Sequence, residues 1–492
     1  MAHDGGDATA APLLLFSSGE SGAAPPRRNL YAFACATLAS MTTILMGYNL
    51  AVMSGAQLFI REDLGLSDEQ VEVLTGSMNM FMLVSILAAG WAADLLGRRR
   101  TLMLANAFLM AGALAMSLGA SYAQLMAARF VTSVGAGFAR VIAPVYNAEI
   151  SPASSRGVLS SLLDIFINVG ILLSYVSNYA FAGMPAHLGW RVMFAAGAIP
   201  PVFLAAAVHF MPESPRWLAM RGRHDEARAV LLRTSNTRGE VDLRLQEIKH
   251  AVEAPPPHSG GGSGAVGGMW KKHLSQPSPS VRRILTCVFG LQFFQHSVGT
   301  EAIVLYTPLV LRKAGVSSNA AALGATVAVG VVKTFFILVA TLFSDRVGRR
   351  PLLLASTAGV AVALVSLAVT LSVDDATSPV SSAACLASVL AFAAAFSIGL
   401  GPVVPTYSTE ILPLPLRAQG TSLSTAVNRL TSGVVSMTFI SLGNVITMPG
   451  CFFLYAGIAV AACVFMHVRL PETRGRSLEN MEELFAQVSI QV

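Results

Sequence analysis

Residues 94–100 read DLLGRRR, and residues 345–351 read DRVGRRP. The same acidic start and Gly-Arg-Arg turn thus occur twice in one chain. Two further pairs keep that order. AEISPASSRG begins at Ala148 and TEILPLPLRAQG at Thr409; PESPRW begins at Pro212 and PETRGR at Pro471. Three pairs in one order at a nearly constant offset indicate a chain made of two copies of one unit.

The bulk composition says what the unit is. Of 492 residues, 54% are hydrophobic and only 12% charged, where an ordinary soluble protein carries roughly 25% charged residues. A helix crosses the hydrocarbon core in ~20 residues. Apolar runs of that size lie near 30–54, 71–93, 101–120, 124–147, 158–180 and 190–210, and again near 283–310, 319–343, 351–372, 381–406, 418–441 and 446–468. The expected fold is an all-α membrane protein with twelve transmembrane helices in two six-helix halves. The halves are 30–211 and 283–470, with a cytoplasmic central loop at 212–282 between them. Residues 1–29, Ala/Gly/Pro-rich, read as a disordered N-terminus, and 471–492 as a tail. Leu13–Phe16 is too short for a signal-peptide core.

Basic residues favour the cytoplasmic side. Arg98, Arg99, Arg100 and Arg156 share loop parity with Arg346, Arg349, Arg350 and Arg417; Glu62, Asp63, Asp68, Glu69, Glu72, Asp374 and Asp375 fall on the other parity. Both termini and the central loop are therefore expected in the cytoplasm. In that loop Ala227, Val230 and Leu231, then Val241, Leu245 and Ile248, have helical spacing. SGGGSGAVGG at 259–268 is a flexible linker. Cys35, Cys287, Cys385, Cys451 and Cys463 lack metal-like spacing and read as small hydrophobes.

The Gly-Arg-Arg turns place bases beside acids in both halves. Asp94, Arg98, Arg99, Asp345, Arg349 and Arg350 can pair with Glu149 and Glu410, with Glu213 and Glu472 adding carboxylates on the same face. Ionisable or amide groups at membrane depth are functional suspects. The fifth span holds Asp164 and Asn168 on one helix face. The seventh holds Gln292, Gln295, His296 and Glu301. Lys333 lies in the eighth, and Asn428 and Arg429 in the eleventh. Amides and acids of this kind suit hydroxyl groups. Arg140 sits deep in the fourth span and needs an acid or water.

The paired motifs resemble the sugar porter family of the major facilitator superfamily over nearly the whole chain beyond residue 29. SPASSRG at 151–157, LLDIFINVGILLSYVSNY at 162–179, VVKTFFILVAT at 331–341 and LRAQG at 416–420 are most similar to plant polyol/monosaccharide transporters. The resemblance implies transport by alternating access. It implies a cytoplasmic latch built from the acids and bases above, Arg156 and Arg417 included. It places Asp164 at a sugar-binding span-five position, Gln295 and His296 on paired glutamines, Glu301 at an Asn/Asp position, and Lys333 and Asn428 at polar pocket positions. One departure is that Gly401-Pro402 is followed by valines rather than an aromatic; Tyr407 or Phe294 is then the candidate wall.

In the family's proton-coupled members an aspartate stands where this chain has Asn49, in GYNLAVMSGA, beside an arginine matching Arg129. An amide cannot titrate. The subfamily resemblance implies proton symport, with Asp164 or Glu301 as the proton carrier; the local chemistry at Asn49 implies facilitated diffusion. A transporter-like nutrient sensor is a further class, although such sensors carry long tails. No nucleophile–base pair, metal cluster or phosphate loop suggests an enzyme, and no cofactor or nucleic-acid partner is expected. The expected setting is a functional monomer in the plasma membrane, or alternatively the vacuolar membrane.

Overall fold

The computed structural model describes residues 29–151, 156–253, 279–373, 379–412 and 414–473. The readings placed on 1–28, 259–268, Asp374, Asp375 and 474–492 lie outside the described residues. The described chain is helical. In the first half, α1 (Leu30–Ala51) and α2 (Met53–Leu64) form a rod with a break at Val52. They are followed by α3 (Asp68–Leu96), α4 (Arg98–Leu118), α5 (Tyr122–Ile150), α6 (Arg156–Ala180) and α7 (Ala186–His209). Three short helices follow: α8 (Pro215–Met220), α9 (His224–Thr234) and α10 (Arg238–Glu253). The second half comprises α11 (Pro279–Ser297), α12 (Thr300–Lys313), α13 (Asn319–Val347), α14 (Arg349–Ser372), α15 (Pro379–Ile398), α16 (Leu400–Ile411), α17 (Leu414–Ile446) and α18 (Met448–Arg469).

The usual distribution of polarity is inverted. Leu87 is 71% exposed and Trp91 72%, while Gln57, Asn79, Asn106 and Arg129 are buried. Only a hydrocarbon solvent makes that arrangement favourable, because the exposed apolar side chains then face lipid. Ten stretches among the described residues are long and apolar enough to cross a membrane. The expected seventh and eleventh spans fall short, because α11, α12 and α17 carry the polar residues singled out above. All five cysteines are free and four are buried, as small hydrophobes would be.

The duplication is visible atom by atom. Gly97 and Gly348 have φ of 94° and 102°, a region open to glycine but strained for other residues. Both make the turn into the next helix. Glu213 accepts from the main-chain N–H of Arg98 and Arg99 at 2.8 and 3.0 Å, and Glu472 from those of Arg349 and Arg350 at 3.1 Å each. These carboxylates cap the N-termini of α4 and α14, where the helix dipole favours negative charge. Tyr146 donates to Pro212 O at 2.9 Å, and Tyr407 to Pro471 O at 2.7 Å.

Arg98 does pair with Glu149 (3.1 Å) and Asp94 (3.0 Å), and Arg349 with Glu410 (3.0 Å), but all three pairs run within one half. Arg99 instead donates to the carbonyls of His209 and Met211, and Arg350 to that of His467. Those two guanidiniums satisfy carbonyls at helix C-termini, which have no intrahelical partner. The side chains of Arg156, Asp345 and Arg417 lie outside the described residues. The short helices sit against the first half: Arg244 of α10 donates to Glu149 O and Ser151 O. Ala227, Trp217 and Leu218 form a small core with Val230, Leu245 and Ile248.

The halves meet through α3 against α17, α6 against α13 and α2 against α12. Cross-half hydrogen bonds run from mid-depth to the acidic face. Gln57 Nε2 donates to Leu305 O at 2.8 Å, and Tyr175 Oη to Val304 O at 2.7 Å. Glu72 reads from sequence as a loop charge. It is instead buried in the seam, where it accepts from the N–H groups of Ile440 (2.6 Å) and Ser441 (3.2 Å) and from the Ser441 hydroxyl. A carboxylate there terminates the donors of the opposite half.

Gly76 lets α3 approach α17. A Cβ at that position would lie 2.8 Å from Ser436 Oγ and 3.0 Å from Met437 N. Gly76→Val is therefore expected to hold the acidic-face seam apart and reduce turnover by about tenfold or more, the effect of ~1.4 kcal/mol. Initial uptake rates in proteoliposomes check this, and a wild-type rate would refute it.

Candidate functional site

Two helix breaks face each other at mid-depth. Span seven breaks at Val298-Gly299, where Gly299 has φ 84° and a Cβ would strike the Tyr455 ring at 2.6 Å. Span ten breaks at Gly399. Irregular backbone at this depth is tolerated where it lines a cavity or is buried in protein. Gln295, at the end of α11, ties the breaks together: its Nε2 donates to Leu400 O at 2.8 Å and Gly401 O at 3.1 Å.

From there an amide relay runs into α17. Asn428 Nδ2 donates to Gln292 Oε1 at 2.8 Å and to Gln295 Oε1 at 2.7 Å. Arg429 donates to Asn428 Oδ1 through Nε at 3.0 Å and Nη2 at 2.5 Å. It also reaches Asn79 Oδ1 in the other half at 3.2 Å and His296 Nε2 at 3.4 Å. His296 Nδ1 lies 3.3 Å from Glu301 Oε1, which accepts from Ser432 at 2.7 Å. Glu301 stands in the first turn of α12, where the dipole favours an anion. Its Oε2 is buried and without a hydrogen-bond partner.

The other half faces this cluster. Asp164 of α6 keeps accessible surface, and the charge of Arg140 acts on it. Arg140, which had no partner in the sequence, also acts on His296 and Arg429 and so belongs to the same chamber. Lys333 lies in range of Glu301's charge, but among the described residues it forms no ion pair with it. Gln295, His296, Glu301 and Asn428 are thus joined in one cluster through Arg429, and Lys333 lines a small cavity beside Thr300. Asn168, by contrast, donates to Asp164 O on its own helix at 2.8 Å.

The two candidate wall residues have partners of their own. Tyr407 is fully buried and spends its hydroxyl on Pro471 O; Phe294 packs on Phe465. A stacked pair on α15, Phe392 and Phe396 (6.1 Å, 9°), lines a small cavity with Tyr175, Thr300 and Lys333. The i, i+4 spacing of those two phenylalanines was the available signal.

Asn49 and Arg129 do meet, but through the main chain. Arg129 is completely buried and donates to Asn49 O (3.0 Å), Leu74 O (3.3 Å) and Thr75 O (3.1 Å). The Asn49 side chain turns away, to Leu45 O at 2.9 Å. The arginine is held by carbonyl oxygens of α1 and α3 and needs no carboxylate at position 49.

Two duplicated helical halves enclosing one polar, uncharged-to-ionic chamber inside a lipid-facing shell define an integral, multi-pass membrane carrier. The chain belongs to the sugar transporter family: residues 35–485 match the family described as "Sugar (and other) transporter". It is 48% identical to Polyol transporter 5 of Arabidopsis thaliana over 94% of this chain and 88% of that one. It is 51% identical to Putative polyol transporter 1 of the same plant, over 94% and 93%. An inward-open structure of the xylose transporter XylE from E. coli superimposes with a TM-score of 0.76 at 26% identity, covering 92% of this chain and all of that one. The proton:xylose symporter XylE bound to 6-bromo-6-deoxy-D-glucose gives 0.74 at 26% identity, covering 93% and 100%.

Proposed function

We propose that the chain moves polyols and monosaccharides across the bilayer by alternating access, as a proton symporter working as a monomer. The observation that carries this is the relay of Asn428, Gln292 and Gln295 beside Glu301, set at the seam of two repeats where carriers bind their cargo. The names of the polyol-transporter relatives support the substrate class, and the proton:xylose symporter supports the coupling ion. The basic face is the cytoplasmic one, by the distribution of arginine, and the plasma membrane is the location. The closed acidic-face seam then corresponds to an inward-facing state. Flux of a labelled polyol and hexose panel in proteoliposomes, with and without an imposed pH gradient, tests the reading. If no panel member moves, the reading fails.

Asp164 is the proton carrier in this reading, because it is a carboxyl on a membrane-spanning helix, on a residue only partly buried, with a cation, Arg140, within electrostatic range. Asp164→Asn is expected to abolish accumulation above equilibrium while counterflow exchange persists; accumulation retained by the variant would remove Asp164 from that role. A second reading, facilitated diffusion, is favoured by the arrangement at Asn49, where the arginine is fully engaged by carbonyl oxygens and position 49 cannot titrate. Uptake that never exceeds equilibrium, with or without an uncoupler, decides for it.

A further inference from the structure

Arginine has five N–H donors and no acceptor. Any amide oriented by it must present its oxygen. Asn428 Oδ1 takes two such bonds from Arg429, so both Asn428 N–H groups must point away, and they go to Gln292 Oε1 and Gln295 Oε1. The glutamines in turn must send their NH2 groups outward. Gln292 Nε2 meets Ser408 Oγ at 3.3 Å, and Gln295 Nε2 uses both hydrogens on Leu400 O and Gly401 O. An amide alone can be flipped; here the donor-only Arg429 at one end and the acceptor-only carbonyls of Leu400 and Gly401 at the other remove that freedom from three amides in series.

The consequence is a bias in what the chamber offers. Asn428 has both N–H groups and two acceptor positions occupied. Gln292 Oε1 and Gln295 Oε1 each keep a lone pair, and Glu301 Oε2 is a buried acceptor with no partner. We propose that Arg429 is a positioning residue that, opposite the Leu400 and Gly401 carbonyls, fixes the hydrogen-bond direction of the binding amides, so that the chamber selects its cargo through hydroxyl donors. The inference rests on the transport reading above and deepens it. A site built to accept from a substrate hydroxyl rejects an analogue that lacks the donor, because its own buried acceptors are left unpaired.

The test compares a hexose with its deoxyfluoro analogues, in which fluorine keeps the size of a hydroxyl but cannot donate, as competitors for uptake in proteoliposomes. The wild-type protein is expected to prefer the hydroxyl by about tenfold or more at one or more ring positions. Arg429→Lys, still donor-only, keeps that preference within about threefold, whereas Arg429→Gln, which can also accept, loses most of it. A role in packing alone would lower transport of both competitors and leave their ratio unchanged. Wild-type discrimination in R429Q overturns the inference while leaving transport intact. A wild-type protein that carries no panel member overturns the transport reading and this inference together.

Discussion

Arg129→Met is expected to lower the stability of the folded protein by more than about 3 kcal/mol, the sum of several buried carbonyls left unsatisfied. Methionine fills similar space but cannot donate. The guanidinium joins α5 to α1 and α3 by bonds to three main-chain oxygens, and it is fully enclosed. Those oxygens have no water to turn to. Lysine is a partial substitute, since a compact ammonium cannot span three carbonyls arranged for a planar fork. Thermal unfolding in detergent, read by size-exclusion survival, should rank wild type above R129K above R129M. A melting temperature for R129M equal to wild type would show that these bonds contribute nothing net.

The second large effect concerns the seam. Glu72→Ala removes a carboxylate that receives two main-chain N–H groups and a hydroxyl from the opposite half. Bonds to a charged group contribute about 1.5–3 kcal/mol each. Even ~3 kcal/mol lost from the closed-seam state alone shifts a two-state equilibrium by roughly 150-fold. The acidic-face ends of α3 and α17 should then separate, and cycling should stall in the outward-open form. Spin labels at Glu69→Cys and Val445→Cys report the distance. A distribution unchanged by E72A would mean the seam is held by packing, with the carboxylate incidental. Glu72→Gln should fall between, since a neutral amide oxygen accepts more weakly.

The candidate site residues stand out in the sequence for a physical reason. Gln295, Glu301, Asn428 and Asp164 stand out because polar groups in apolar helices are costly without a use. Their types match the hydroxyl chemistry they would meet. What sequence could not supply was their mutual orientation. Arg140 had no visible partner until α5 and α6 were placed together. The stacked pair Phe392 and Phe396 lies on the helix before Gly401-Pro402 and lines a small cavity with Lys333. The arginines of the two turns split their duties: Arg98 and Arg349 face acids, while Arg99 and Arg350 face carbonyls. Identical residue types one position apart on a helix point about 100° apart, so a motif alone does not say which is which.

The sequence by itself determined the duplication, the segments that enter the bilayer, the face that carries the arginines and the family. Each of these is written in local composition or in motif order, because hydrophobic length and charge are properties of a segment and its immediate flanks. Only the tertiary structure decided that Glu72 belongs to the seam, that Arg129 holds main-chain oxygens rather than the Asn49 side chain, and that Arg429 directs the amides. Those contacts join residues far apart in the chain, and the direction of a hydrogen bond is set by which donor-only or acceptor-only neighbour arrives, a fact no single segment contains.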